Sequence, residues 1–416
     1  MSRPIPPTGT SPAALAYRAV TSVAGALIPL VARGGDWAER LGKEGPQLGE
    51  AGIWVHAASV GELNSAKVLI EDLAADLPLL VTTNSVTGRA LARDWGLQAC
   101  LAPLDVTAAL QRFLNRNRPR IAVTIENEIW PNRARMLAAR GISQVVVGAR
   151  MSQRSAARWG RLPGLIGPVL SGVDLLSAQD HHTEQRLLDL GLHRDALAPI
   201  LQLKLLAPAR IEPGLPGKWR AATVLAASTH EGEDALILDA FLTARSKGPD
   251  LRLILAPRHP RRGDEVLALM QARGLVVARR SLGADETAPI LLADTLGEMP
   301  RWYDSAAICV TGGSFTDRGG HTPWEPAAHS CAILHGPHVA NFAADYAALD
   351  AAGASLGTDA DGLAAALGNL VGDGARVAAM GAAARALLLS RAGDPAPLLK
   401  AIRALAAGQP CASRVE

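Results

Sequence analysis

Ser59 and Glu62 stand three residues apart in IWVHAASVGELNSA, residues 53–66, where an apolar run gives way to a Ser-Val-Gly-Glu turn. The spacing fits a capping box, in which each side chain satisfies a free backbone N–H at a helix start. It fits equally a carboxylate that takes a proton from a substrate hydroxyl. A second pair, Glu126 and Glu128, closes RIAVTIENEIW, and as strand residues two apart they face one side. Crowding two carboxylates in a buried cleft raises one pKa, which suits acid–base work or the positioning of an acceptor; a solvated strand end is the alternative.

GGSFTDRGGHTPWEP, residues 312–326, bends around Gly312, Gly313, Gly319 and Gly320 before a helix expected to begin near Pro323. Glycines let backbone N–H groups approach an anion and the helix dipole adds to the attraction, so a phosphate is expected there. Glu325, in the first turn, suits ribose hydroxyls. The alternative is a loop of turns followed by a dipole-stabilised acid. Arg258 and His259, in LAPRHPRR, offer charge-assisted bonds to a phosphate. His181, His182 and Glu184 read as a solvated helix start rather than a metal site, because adjacent helical side chains point about 100° apart.

These residues need a scaffold that brings strand ends together. GIWVHA, LPLLVTTN, RIAVTIE, SQVVVGA and VDLLSAQ are continuous apolar runs, each followed by a helix-like stretch such as LNSAKVLIEDLAAD. That pattern predicts a parallel sheet covered on both faces. It lapses at PARIEPGLPGK, residues 208–218, and restarts with ATVLAAS, LRLILAPR, APILLAD, AAICVTGG and CAILHG. Two Rossmann-like α/β domains facing a cleft are expected, over residues 36–207 and 208–416, with helices from about residue 360. HAASVGE, IENEIWPN, GARMSQRS, ASTHEGE, APRHPRR and ADTLGE all follow strands, at the edge where such sheets bind ligands. Neither G-x-G-x-x-G nor a P-loop is present.

A chain of 416 residues, 49% apolar and 19% charged, suits two or three globular domains. A net charge of +3 with scattered arginines argues against nucleic acid as a partner. Cys100, Cys309, Cys331 and Cys411 lie far apart, against a zinc site or a disulfide framework and in favour of a reducing compartment. Residues 1–35 contain an uncharged stretch between Arg18 and Arg33, broken by Pro29 and short of the roughly 20 residues that span a bilayer. The expectation is a basic-flanked helix lying on an anionic membrane surface; a cleaved signal peptide and an ordinary packed helix are the alternatives.

Taken together, HAASVGE, ENEIWPN, ARMSQRS, AASTHEGE, APRHPRR, ADTLGE, GGHTPWEPAAH and GPHVANF resemble the bacterial 3-deoxy-D-manno-octulosonic acid (Kdo) transferases, from the N-terminal apolar segment to about residue 350. The resemblance implies a GT-B fold, meaning two Rossmann-like domains with the donor in the second. It further implies CMP-Kdo as donor and co-substrate, a lipid A precursor as acceptor in lipopolysaccharide biosynthesis, the cytoplasmic face of the inner membrane as location, and no cofactor or metal. Residue by residue it implies Glu62 as proton acceptor, Glu126 and Glu128 as the E-x-E carboxylates, and Lys204 as the lysine of the N-L-K motif. CMP contacts are implied at Pro257, Arg258 and His259, at Gly297, Glu298 and Met299, and at Thr322, Pro323, Trp324 and Glu325.

The chain departs from the usual pattern at Asn127, where the family has Thr or Ser, at Gln202, where it has Asn, and at Thr322, where it has Asn. Set against the resemblance, Thr322 implies one nucleotide contact fewer and Gln202 a different hold on Lys204. The expected reaction moves Kdo with inversion, Glu62 acting on the face opposite the leaving cytidylate while Arg258, Lys204 and the helix start near residue 323 stabilise its charge. Two rivals stand beside it: a GT-B paralogue with another donor or acceptor, and a non-catalytic relative that binds lipopolysaccharide precursors.

Overall fold

The computed structural model describes residues 11–31, 34–49, 52–126, 128–215 and 217–409; Pro4, Pro6, Pro7, Arg33, Asn127 and Cys411 lie outside them. Two compact units divide the chain, one reaching to Ala207 and resuming at Ala392, the other running Pro208–Arg391. The end of the chain therefore returns to the first unit instead of completing the second. There the helix Ala396–Ala406 buries Leu398, Leu399, Ile402 and Leu405. It packs on the helix Val60–Ala74, and Arg403 bonds Asp76 at 2.9 Å. An apolar stripe in a sequence records that a helix is covered, but not by which unit.

The first unit holds β1 (Ile53–His56), β2 (Leu79–Thr83), β3 (Gln98–Leu101), β4 (Ile121–Ile125), β5 (Ser143–Ala149) and β6 (Leu175–Ala178). They form one parallel sheet in the order β3-β2-β1-β4-β5-β6. Every residue of β1 and β2 is buried, as sheets with helices on both faces require. The order reverses between β1 and β4, the switch point outside which such sheets bind ligands. Because Ile53 pairs with Ile121 and His56 with Thr124, the two strands end at one level. The loops carrying Ser59-Glu62 and Glu126-Glu128 leave from adjacent points.

The second unit repeats the plan with β7 (Thr223–Thr229), β8 (Arg252–Pro257), β9 (Ala278–Arg279), β10 (Ile290–Leu292), β11 (Ile308–Thr311), β12 (Ala332–His335) and β13 (Ser355–Gly357). Their order is β13-β12-β11-β7-β8-β10-β9, again parallel, with the reversal between β7 and β11. All ten strands expected from the sequence form. The three it does not signal, β3, β9 and β13, are short strands at the sheet edges.

At the second switch point two backbones touch. A Cβ on Gly312 would lie 2.2 Å from the carbonyl oxygen of Ser228, a residue itself held at a φ of 57° where β7 bulges. Overpacking of this kind costs typically about 1–3 kcal/mol and occasionally more. Gly312→Ala is expected to destabilise the second unit by about that cost, read as a lower urea midpoint by intrinsic fluorescence; an unchanged midpoint would show that the strand ends can separate.

Candidate active site

In the first unit the sequence-predicted carboxylates come together, though not as a strand pair. Ser59 caps the helix Val60–Ala74 and accepts from the Glu62 N–H at 3.2 Å. The Glu62 carboxylate folds back one residue further than a capping box requires, accepting from the Ala58 N–H at 2.6 Å. β4 stops at Ile125, and Glu126 adopts a φ of 58°, which turns the chain out of the sheet. The strand alternation that would put Glu126 and Glu128 on one face therefore does not apply. A non-glycine residue in this region is strained, and such strain gathers at functional sites.

The three carboxylates differ in their electrostatics. Half-buried Glu62 has its pKa raised, first by burial and then by the charges of Glu126 and Glu128, with the Ala58 N–H opposing. Glu128 moves the other way: burial pushes it up, but the Trp130 indole N–H and the charge of Arg133, with the His56 ring close by, hold it low. Burial first and the neighbouring charges second thus raise Glu62, whereas Glu128 is lowered. His56 is buried, with Nδ1 3.0 Å from Thr82 Oγ1. Its Nε2 stands 3.6 Å from Glu128, beyond hydrogen-bond range. Burial drops the His56 pKa to about 4, so the ring is neutral. Arg133, brought down to about 10 by burial, remains a cation. A cavity of about 150 Å³ lies beside this group, lined by Trp54, His56, Asp105, Trp130 and Arg133 among others. Lys204 lies exposed on the helix Leu203–Ala209, and among the described residues no ion pair joins it to the carboxylates.

The second unit has a carboxylate at its own switch point. Glu233, fully buried, accepts from the N–H groups of His230 at 2.9 Å, Gly313 at 2.7 Å and Phe315 at 2.8 Å. The Gly320 N–H bonds Gly313 and the His321 N–H is directed at Gly312. In the glycine loop expected to cradle a phosphate, the Gly313 and Phe315 N–H groups thus bond an acid from within the chain. Side chains gather beside it instead. His230 and His321 stack at 5.1 Å with their Nε2 atoms 2.9 Å apart, so one ring donates to the other. Burial, then the charges of His230, Arg258 and His259, take the His321 pKa to about 4. Arg258 and His259 are exposed, whereas Arg262 of the same run is tied to Asp234 at 2.5 Å.

The remaining predicted residues occupy neighbouring loops. Pro257 ends β8, buried. Gly297 takes a φ of 83°. Glu298 precedes the helix Met299–Ser305 and is gripped by Arg280, whose hydrogen bonds pull its pKa to about 2. Thr322 Oγ1 accepts from the Trp324 N–H at 3.3 Å. Pro323 and Trp324 are buried, and exposed Glu325 accepts from the Tyr303 hydroxyl at 3.2 Å. The helix they open, Trp324–Ala328, is a single turn. His56, Arg133, Asp105 and Glu233 were not singled out by the sequence reading. His56 and Glu233 lie inside quoted motifs, whereas Asp105 sits in a plain loop with no signal.

The first unit matches a known sequence pattern. The profile of the 3-deoxy-D-manno-octulosonic-acid transferase (kdotransferase) family matches residues 35–207. The chain is 37% identical over 386 residues to the 3-deoxy-D-manno-octulosonic acid transferase of Bordetella pertussis, covering 87% of this chain and 89% of that one. It belongs to the Kdo transferase family. To the Haemophilus influenzae enzyme of the same name it is 34% identical, over 70% of this chain and 72% of that one. Membership makes it a glycosyltransferase of Kdo in lipopolysaccharide synthesis. A UDP-N-acetylglucosamine 2-epimerase structure, 11% identical with a TM-score of 0.52 over 89% of this chain and all of that one, shares the two-sheet GT-B fold.

The buried imidazoles make an acid prediction. His56 and His321 have folded pKa values of about 4 against 6.5 in the unfolded chain. The unfolded state binds more protons between these values, so their contribution is complete above pH 6.5 and is lost as pH falls toward 4. The urea midpoint should decline across that window, and His56→Asn should flatten the slope. An identical slope in the variant would mean that His56 does not stay neutral.

Proposed function

We propose that this Kdo transferase uses CMP-Kdo as donor and a lipid A precursor as acceptor, transferring with inversion and with Glu62 as general base. The observation that carries the reading is the raised pKa of a half-buried carboxylate at the carboxyl edge of a parallel sheet. A base works best with a pKa near the operating pH, and such a base contributes typically about 10²–10⁴-fold. Glu126 and Glu128 keep the neighbourhood negative, which favours uptake of the acceptor proton by Glu62.

Cytidylate leaves as a phosphate monoester and calls for positive charge more than for a proton. Arg258 and His259 are the exposed groups suited to meet it, with Arg318, whose charge reaches His230, beside them. Because Glu233 occupies backbone donors of the glycine loop, these side chains take the larger share. Pro257, Gly297 to Met299 and Thr322 to Glu325 then frame the nucleotide, with the exposed Glu325 free to accept from the ribose. Lys204 supports the leaving charge. Neither a metal nor a cofactor enters this scheme.

The N-terminal helix Pro12–Val31 supports a membrane location. Tyr17 and Thr21 bond inward, while Val20, Val23, Leu27 and Leu30 form an exposed stripe at helical spacing. Among the described residues no helix is long and apolar enough to cross a membrane. The stripe suits the interface of the inner membrane's cytoplasmic leaflet, where the acceptor is reached.

Two experiments test the reading. Glu62→Gln should abolish Kdo transfer to a defined lipid A precursor while CMP-Kdo still binds; full turnover would remove Glu62 from the chemistry. Val23→Asp with Leu27→Asp should release the protein from phosphatidylglycerol vesicles without changing its unfolding midpoint, and undiminished sedimentation would contradict the interfacial role.

A further inference from the structure

The carboxylates around Glu62 act only where the chain holds them, and what holds Glu128 is a helix start with no cap of its own. The helix Pro131–Ala138 follows directly, and its N-cap position, Trp130, makes no side-chain capping bond. Pro131 has no N–H to satisfy, which leaves the N–H groups of Asn132 and Arg133 as orphan donors. Both go to Asp105, at 3.0 Å to Oδ2 and 2.7 Å to Oδ1. Asp105 belongs to the loop after β3, so the helix is capped from a distant part of the chain.

The same carboxylate reaches the N-terminal helix. Tyr17 donates its hydroxyl to Asp105 Oδ2 at 2.8 Å. Asn132 donates its side-chain amide to the Asp105 carbonyl at 2.7 Å and to Thr21 Oγ1 at 3.0 Å. Tyr17 and Thr21 are one turn apart, on the side of the helix that bonds inward. On its other side the Pro131 helix grips the glutamates' loop: the Arg133 guanidinium donates to the Glu128 carbonyl at 2.9 Å and to Thr124 Oγ1 at 3.3 Å. The Trp130 indole N–H donates to the Glu128 carboxylate. Asp105 is 8% exposed and Asn132 1%, so water offers little replacement for these bonds.

We propose that Asp105 is a positioning residue for transfer: by capping the Pro131 helix it ties the loop of Glu126 and Glu128 to the inward face of the N-terminal helix. It touches no reacting atom. The proposal rests on the reading of Glu62 as base, and it assigns the membrane-facing helix a second task, that of bracing the site. A carboxylate is the right group, because its two acceptor oxygens serve three donors at a helix N-terminus. An amide offers one acceptor oxygen and sets its NH₂ against the donors.

The test compares Asp105→Asn and Tyr17→Phe in the full chain, with Glu62→Gln alongside. In Asp105→Asn, kcat should fall about ten- to a hundredfold, as small misplacements of catalytic groups do, with the KM for CMP-Kdo unchanged. Glu62 is faced by Glu126 and Glu128, with His56 and Arg133 beyond them. Moving Glu128 away removes part of the like-charge repulsion, so the acid limb of kcat should shift to lower pH, a readout that loss of a mere cap would not move. Tyr17→Phe, which keeps the cap, should shift both quantities in the same direction by less. A lowered unfolding midpoint with wild-type kcat and an unmoved acid limb in both variants would overturn the proposal. Should Asp105→Asn fail to fold, Tyr17→Phe decides alone, and wild-type values in it would reject the tie. Full turnover by Glu62→Gln would instead sink the underlying base assignment.

Discussion

Repulsion among three carboxylates at one sheet edge is the constraint on which the site depends. Glu62, Glu126 and Glu128 converge because the strand order reverses at β1, which puts the ends of β1 and β4 side by side at one level. Like charges so placed push one another's pKa upward and favour separation of the loops that bear them. The fold meets that cost with donors of fixed direction: the Ala58 N–H on Glu62, and the Trp130 indole with buried Arg133 around Glu128. The two carboxylates therefore differ, Glu128 being held low while Glu62 is raised.

The second unit solves a related problem differently. Its switch point between β7 and β11 carries a glycine-rich turn, and the buried Glu233 side chain accepts from the Gly313 and Phe315 N–H groups there. Burying a carboxylate is costly unless it is fully bonded, and three backbone donors meet that condition. The turn is thereby set in shape before any ligand arrives. Burial first and neighbouring charges second lower the pKa of His230 and His321 beside the turn, which avoids massing positive charge there in the free protein.

Much of this was legible in the sequence, because it depends on local pattern. Continuous apolar runs identified ten strands, the lapse at residues 208–218 marked where the first unit hands over, and Ser59 was readable as a cap. What escaped depends on distant partners. Glu126 and Glu128 were read as strand neighbours, since no residue type announces that Glu126 adopts a positive φ. Nothing in the glycine run names Glu233, some eighty residues earlier, as the acceptor of the Gly313 N–H. Asp105 looks like any loop acid before a helix; its donors, Tyr17, Asn132 and Arg133, come from two other elements. Edge strands β3 (QACL), β9 (AR) and β13 (SLG) lack the run of large apolar residues that marks the others, and the last helix carries a stripe that does not say which unit it covers.

The central claim is that crowding and burial tune Glu62 for proton transfer. Carbon-detected NMR titration of the Glu62 carboxyl in the free protein addresses it directly. The account predicts a midpoint above the ordinary glutamate range that falls when Glu128 is replaced by Gln. A midpoint at the ordinary value, indifferent to that replacement, would contradict it.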